Sequence, residues 1–162
     1  MKVRDVLKSK NRAPATVHLE TLLSECVISI ADEDLGSLVV MDGPRVAGLL
    51  TFREVIQVLA RRQKELRSGP TPPVADLKVC EVMNPTPLCT TPDVERHELR
   101  ALMIRQHQRY LPLLDQGVLM GVLSFHDVAR TVYEKQEFEN RMLKSYIGDW
   151  LGGDAAHARD GA

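Results

Sequence analysis

The sequence predicts a mixed α/β fold made of two copies of one small unit. Three observations carry this. A constant offset of 73 residues aligns Gly48 with Gly121, Leu50 with Leu123, Phe52 with Phe125 and Val55 with Val128. Without a gap, the same offset aligns Pro14 with Pro87, Glu25 with Glu98, Leu38 with Leu111 and Asp42 with Asp115. Each copy then holds two nearly all-apolar runs around an Asp-led turn, Asp42-Gly43-Pro44 and Asp115-Gln116-Gly117, which is a hairpin pattern. Each copy also passes from its last strand into a helix through a hydroxyl residue with a carboxylate three positions on: Thr51 and Glu54, Ser124 and Asp127.

In order, each copy reads as short helix, strand, helix, strand, strand, helix. Upstream of the gap-free region, Val3-Arg4-Asp5-Val6-Leu7 matches Val79-Cys80-Glu81-Val82-Met83 at an offset of 76, so the first copy carries a loop three residues longer. These runs, 3–8 and 79–84, are brief apolar-periodic turns. The second is ended by Asn84-Pro85, because a residue before proline avoids the helical region. Residues 15–17 and 88–90 are short strands. Within 22–31, Leu22, Leu23, Cys26, Val27 and Ile30 fall at helical spacing. The counterpart follows Thr91-Pro92-Asp93, a helix-start signal, and turns Leu99, Leu102 and Met103 inward. Strands at 38–41 and 46–51, and at 110–114 and 118–124, form the hairpins; being apolar on both faces, they require a sheet covered on both sides or against a partner repeat.

Val55, Ile56, Leu59 and Leu66 mark the closing helix of the first copy. Ser68-Gly69-Pro70-Thr71-Pro72-Pro73 is a linker that no helix accommodates. In the second copy Val128, Val132, Tyr133, Phe138, Met142, Leu143 and Tyr146 keep a helical period to Ile147, with Gly148 as a stop signal. The organisation is a first repeat at 1–68, a linker at 69–75, a second repeat at 76–138, a helical extension at 139–150 and a disordered tail at 151–162.

Composition sets the function classes apart. The chain has 162 residues, 44% apolar and 27% charged, ordinary for a soluble globular protein with a real core. A net charge of −1, with Lys and Arg spread along the chain, leaves no footprint of a nucleic-acid binder. No apolar run approaches the ~20 residues that span a bilayer, and the first residues hold no signal-peptide core. Cys26, Cys80 and Cys89 are odd in number and far apart, which fits a reducing cytoplasm better than a disulfide framework. His18, His97, His107, His126 and His157 make no metal-ligand spacing with them. Cys80 and Cys89 have no base partner in the sequence, and no triad, paired catalytic carboxylates or phosphate loop is present. A protein with no catalytic residues and no metal is expected.

The strings Leu35-Gly36-Ser37-Leu38-Val39-Val40, Gly48-Leu49-Leu50-Thr51, Arg109-Tyr110-Leu111-Pro112-Leu113-Leu114-Asp115 and Gly121-Val122-Leu123-Ser124-Phe125-His126-Asp127-Val128 follow one another at repeat spacing. Together they resemble a tandem pair of CBS domains, a Bateman module, over about residues 2–148. Within that family the chain is similar to small stand-alone bacterial pairs, and Ser145-Tyr146-Ile147-Gly148 is similar to the way such chains end. The resemblance implies two βαββα units about a pseudo-two-fold axis, with their sheets facing. It also implies two clefts for adenosine-containing ligands: AMP, ADP, ATP, NAD or S-adenosylmethionine. Such modules form homodimers, need no cofactor, and act as sensors on an effector protein rather than as catalysts; here the effector is unknown.

Carried over residue by residue, the resemblance implies a second site of Arg109, Tyr110, Leu111, Pro112, Ser124, His126 and Asp127. It implies a first site of Gly36, Ser37, Leu38, Thr51, Arg53 and Glu54. The chemistry of these residues agrees. Helix N-terminal N–H groups and a hydroxyl beside a cleft suit an anion, and a carboxylate in the first turn suits a ribose diol. Arg109 can grip a phosphate with two N–H groups, and Tyr110, where this group often has His, can stack on a base or ribose. The second site ranks above the first, because Glu54 stands where the family has Asp and its extra methylene disturbs a grip on a diol. Arg53, at a position where related chains often carry Arg, compensates as a phosphate ligand. Plainer roles stand beside these: Thr51 and Ser124 as N-caps, Asp127 as a complement to the helix dipole, Arg109 as a surface ion-pair residue and Gly36-Ser37 as a tight turn. The other function class open to the chain is a dimeric scaffold with degenerate clefts.

Overall fold

The computed structural model describes residues 1–65 and 73–157. Its elements run α1 (Val3–Lys10), β1 (Thr16–His18), α2 (Leu23–Asp32), β2 (Ser37–Asp42), β3 (Arg45–Thr51) and α3 (Phe52–Glu65). Two short 3-10 turns, Val74–Asp76 and Val79–Glu81, precede α4 (Arg96–Arg105), β4 (Tyr110–Asp115), β5 (Val118–Ser124) and α5 (Phe125–His157). Met1–Phe125 form one compact unit, and His126 begins a second. Leu66 and most of the linker fall on residues 66–72, outside the described residues.

In the first repeat the strand order is β1-β2-β3, with β1 parallel to β2 and β2 antiparallel to β3. The second repeat keeps only the hairpin β4-β5. The two hairpins are copies down to their irregularity: the register slips between Val40 and Met41, and again between Leu113 and Leu114. The strand expected at 88–90 is reduced to a single bridge between Thr90 and Leu113. One proline explains this. Val39 donates its N–H to the Ala15 carbonyl at 2.9 Å, whereas the repeat-related Pro112 has no N–H to offer Leu88.

Side chains alternate along β2 with the period of a strand. Leu38 and Val40 join Leu23, Cys26, Ile30, Leu50, Val58 and Val79 on one face. On the other face Val39 and Leu49 pack with Val122, with Tyr110 and Leu119 against them, so the sheet of the first repeat is covered on both sides. Burial pushes the Cys26 thiol up to about 11. In α4, Leu99 and Met103 are buried and Leu102 is half-buried. Along α3, Val58 is buried while Ile56 and Leu59 face solvent.

The leading segment of each repeat crosses to the other. The N–H groups of Val3 and Arg4 donate to the carbonyls of Val94 and Pro92. Those of Val79 and Cys80 donate to Thr21 and Leu19, the same bonds at the repeat-related positions. Asn84 and Leu49 exchange both backbone hydrogen bonds, at 3.0 and 2.9 Å. Lys2 pairs with Glu95 and Lys78 with Glu20 at these crossings. The hydrogen bond from Lys2 holds the Glu95 carboxyl below its ordinary value. Both pairs are solvent-screened and contribute little. Val3, Val6 and Val79 are fully buried, and each such valine contributes about 1.5–3 kcal/mol. Apolar burial and backbone pairing, rather than charge, hold the crossing.

In α5, Val128 and Thr131 are buried, and the Thr131 hydroxyl donates to the Val128 carbonyl at 2.8 Å. The helix then exposes Phe138, Met142, Tyr146 and Trp150, each four residues after the last. The helix does not stop at Gly148 as expected but continues to His157. Gly148, Gly152 and Gly153 each cost only about 1 kcal/mol relative to alanine, and Gly148 alone is too little to end a cooperative helix that carries Asp149, Trp150 and Leu151 beyond it. The tail expected to be disordered from 151 is therefore helical to His157, and 158–162 lie outside the described residues. Among the described residues no helix is long and apolar enough to cross a membrane.

The crossings explain two glycines. A methyl group at Gly48 would sit 2.7 Å from the Asn84 carbonyl oxygen and overlap Met83, whereas at Gly121 it would meet only the Leu7 side chain, at 2.5 Å. A backbone carbonyl cannot step aside, but the end of a leucine can. Gly48→Ala is expected to cost about 1–3 kcal/mol and Gly121→Ala clearly less, read as urea midpoints at constant slope. Equal losses would show that the Asn84 crossing is not rigid.

Candidate functional site

A cleft of about 510 Å³ opens in the first unit, within the ~300–1,000 Å³ range of small-molecule sites. One wall is the β3–α3 turn, with Thr51, Phe52, Arg53, Glu54, Ile56 and Gln57; the other is His107, Gln108, Arg109 and Tyr110, leading into β4. Leu49 and Asn84, joined at the crossing, complete it. His107 takes a left-handed conformation (φ 51), which turns the chain after α4 and presents Gln108 and Arg109 to the cleft.

Glu54 is buried, and its Oε2 accepts hydrogen bonds from the Thr51 N–H, at 2.8 Å, and from the Thr51 hydroxyl. The Thr51 hydroxyl in turn accepts from the Arg53 N–H at 3.3 Å. A carboxylate that reaches back to the N–H three residues earlier is one half of a capping box. The chain uses the device repeatedly: Asp5 accepts from the Lys2 N–H at 3.1 Å, Glu81 from Lys78 at 2.8 Å and Glu98 from Glu95 at 3.3 Å. The Glu54 carboxylate is thus engaged in holding the turn.

Arg53 and Arg109 come from opposite repeats and are both exposed. Neither guanidinium has an acceptor among the described residues. The start of α3, with the partial positive charge of a helix N-terminus, lies beside them. Phe52, at 57% exposure, Ile56, at 62%, and Tyr110 add apolar and aromatic faces. The arrangement suits an anionic group attached to a flat ring.

A second cleft in the same unit measures only about 60 Å³ and is lined by Lys10, Arg12, Pro14, Gly36, Ser37, Tyr110 and Val122, among others. The Lys10 ammonium donates to the Val122 carbonyl at 2.8 Å within it.

A family model of the CBS domain matches residues 3–61 and 79–134. The chain belongs to the CBS-domain family. It is 28% identical over 118 residues to the A-adding tRNA nucleotidyltransferase of Geobacter sulfurreducens, a match covering 73% of this chain and 12% of that protein. Its fold is similar to a CBS-domain protein from Burkholderia ambifaria, 27% identical, with a TM-score of 0.71 over 84% of this chain and 96% of that one. It is also similar in fold to a CBS domain protein from Pyrobaculum aerophilum complexed with AMP, 19% identical, with a TM-score of 0.64 over 78% and 89% of the two chains.

The CBS crossing regroups the residues that the sequence sorted by repeat. Thr51, Arg53 and Glu54 share the larger cleft with Arg109 and Tyr110. Gly36 and Ser37 line the smaller one, also with Tyr110. Leu38, Leu111 and Pro112 are buried in their strands and line neither. Ser124 ends β5 opposite Tyr110. His126 is exposed and Asp127 buried in the first turn of α5. The sequence did not single out Leu49, Phe52, Ile56, Gln57, Asn84, His107 or Gln108 as lining residues. His107 and Gln108 could have been found from their place directly before Arg109; Asn84 could not, since its pairing with Leu49 is non-local.

Removing the Glu54 cap should be felt in stability. Glu54→Ala is expected to cost about 1–2 kcal/mol, and Glu54→Gln less because it keeps an acceptor oxygen. A urea titration in which Glu54→Ala matches wild type would rule out the capping role.

Proposed function

We propose that this CBS pair is a regulatory module that binds an adenosine-containing nucleotide in the larger cleft and signals its level to a partner protein. The observation that carries this is the meeting of Arg53 and Arg109, two cations from opposite repeats with no acceptor among the described residues, beside the start of α3. Phosphate takes both guanidiniums at the positive end of the helix, and the base lies against Phe52, Ile56 and Tyr110. Because Glu54 is engaged with Thr51, the nucleotide is held chiefly through its phosphate. The likeness in fold to a CBS protein complexed with AMP supports the ligand class. The signal is the binding itself, with no turnover.

At ~0.3 kcal/mol per heavy atom, an AMP-sized ligand of about 23 such atoms gives ~7 kcal/mol, or a Kd near 10 μM. A thermal-shift panel of AMP, ADP, ATP, NAD and S-adenosylmethionine at about 1 mM should then stabilise by about 2.7 kcal/mol, or roughly 5–10 °C. A guanine nucleotide should give no such shift. Arg53→Ala and Arg109→Ala should each weaken binding about a hundredfold, to a Kd near 1 mM. A flat panel on nucleotide-free protein would overturn the reading.

The exposed row Phe138, Met142, Tyr146 and Trp150 on α5, at 63, 58, 71 and 62% exposure, favours a homodimer as a second and compatible reading. An apolar stripe on one helix face is what helix-on-helix packing buries. Light scattering should give a dimer mass for wild type and a monomer mass for Tyr146→Ser/Trp150→Ser. A monomeric wild type at micromolar concentration would remove this reading.

A further inference from the structure

Tyr110 lines both clefts. Its phenol reaches to Gly36, where an added Cβ would overlap the Tyr110 hydroxyl and ring. Gly36 has no left-handed φ, so what glycine supplies there is space, and Tyr110 fills that space. By the 73-residue offset Gly36 and Ser37 correspond to Arg109 and Tyr110. One cleft therefore carries Arg and Tyr where the other carries Gly and Ser, and the tyrosine of the first leans into the second. Lys10 enters the smaller cleft as well, its ammonium 2.8 Å from the Val122 carbonyl. What is left, about 60 Å³, holds about two water molecules at ~30 Å³ each and no nucleotide.

We propose that Tyr110 and Lys10 plug the smaller cleft from within, that the chain therefore takes one nucleotide, in the larger cleft, and that Tyr110 sets this stoichiometry. The inference rests on the nucleotide reading of the larger cleft for its ligand. Shortening Tyr110 would uncover the backbone at Gly36 and Ser37 beside Arg12, whose guanidinium now donates only weakly, at 3.3 Å, to the Glu33 carbonyl.

The test uses AMP as the titrant in calorimetry, with Tyr110→Ser, which writes at this position the residue found at its repeat mate Ser37. Wild type is expected to bind one AMP per chain, and Arg53→Ala none at matched concentration. Tyr110→Ser/Arg53→Ala should regain one AMP per chain and lose it again when Arg12→Ala is added. Two AMP per wild-type chain would overturn the plug. So would a wild type that binds one AMP while Tyr110→Ser/Arg53→Ala binds none. Should wild type bind none and Tyr110→Ser one, the larger-cleft reading falls and the plug stands. A second readout needs no ligand. Gly36→Ala should lower the Tm of wild type by driving the phenol out, but leave Tyr110→Ser unchanged or slightly raised, since alanine restricts the unfolded chain. Equal Tm shifts in the two backgrounds would overturn the plug whether or not any chain binds AMP.

Discussion

The backbone bonds from Val3 and Arg4 to Val94 and Pro92, with their equivalents from Val79 and Cys80 to Thr21 and Leu19, join two hairpins that would otherwise each lack a wall. Val79 sits in the core built by β2, β3 and α2, although it belongs to the other repeat. Gly48 and Gly121 lack side chains because the crossing segments run against them. The pairing of Asn84 with Leu49 then brings the floor of the larger cleft into place, with the β3–α3 turn on one side and Arg109 on the other. The cleft is a by-product of the exchange: neither repeat contains it alone.

The frame is nearly symmetric and its chemistry is not. The register slip recurs at repeat-related positions in both hairpins, as do the crossing bonds. A few substitutions set the halves apart. Pro112 stands where the first repeat has Val39, and cuts a strand to a bridge. Tyr110 stands where it has Ser37, and α1, longer than its counterpart in the second repeat, delivers Lys10 to Val122. Tyr110 and Lys10 line the smaller cleft, whereas Pro112 lines neither and acts on the strand alone.

Much of this was legible because it is local. Nearly all-apolar runs around Asp-led turns marked the hairpins, and 3.6-residue spacing marked α2 and α4. What escaped the sequence acts between residues far apart in the chain. Pro112 shows its effect at Leu88, far from it in the chain, and Asn84 read as a helix stop, not as the partner of Leu49. Site residues were sorted by repeat, since proximity in sequence was the only guide to proximity in space. Gly148 was a fair local stop signal, overridden by the cooperativity of the helix around it. The hydroxyl of Thr51 and the carboxylate of Glu54 were both legible, but the hydrogen bonds that join them were not.

The exchange has an evolutionary consequence. A single repeat, alone on its chain, could complete itself only by meeting a second copy, and both copies would then be identical at every position. Fusion on one chain turns that encounter into an intramolecular one at an effective concentration of roughly millimolar, so assembly no longer depends on the abundance of the protein. It also lets the two copies diverge. A pair of identical chains must carry two tyrosines or two serines at the position of Tyr110 and Ser37, whereas a fused pair is free to carry one of each.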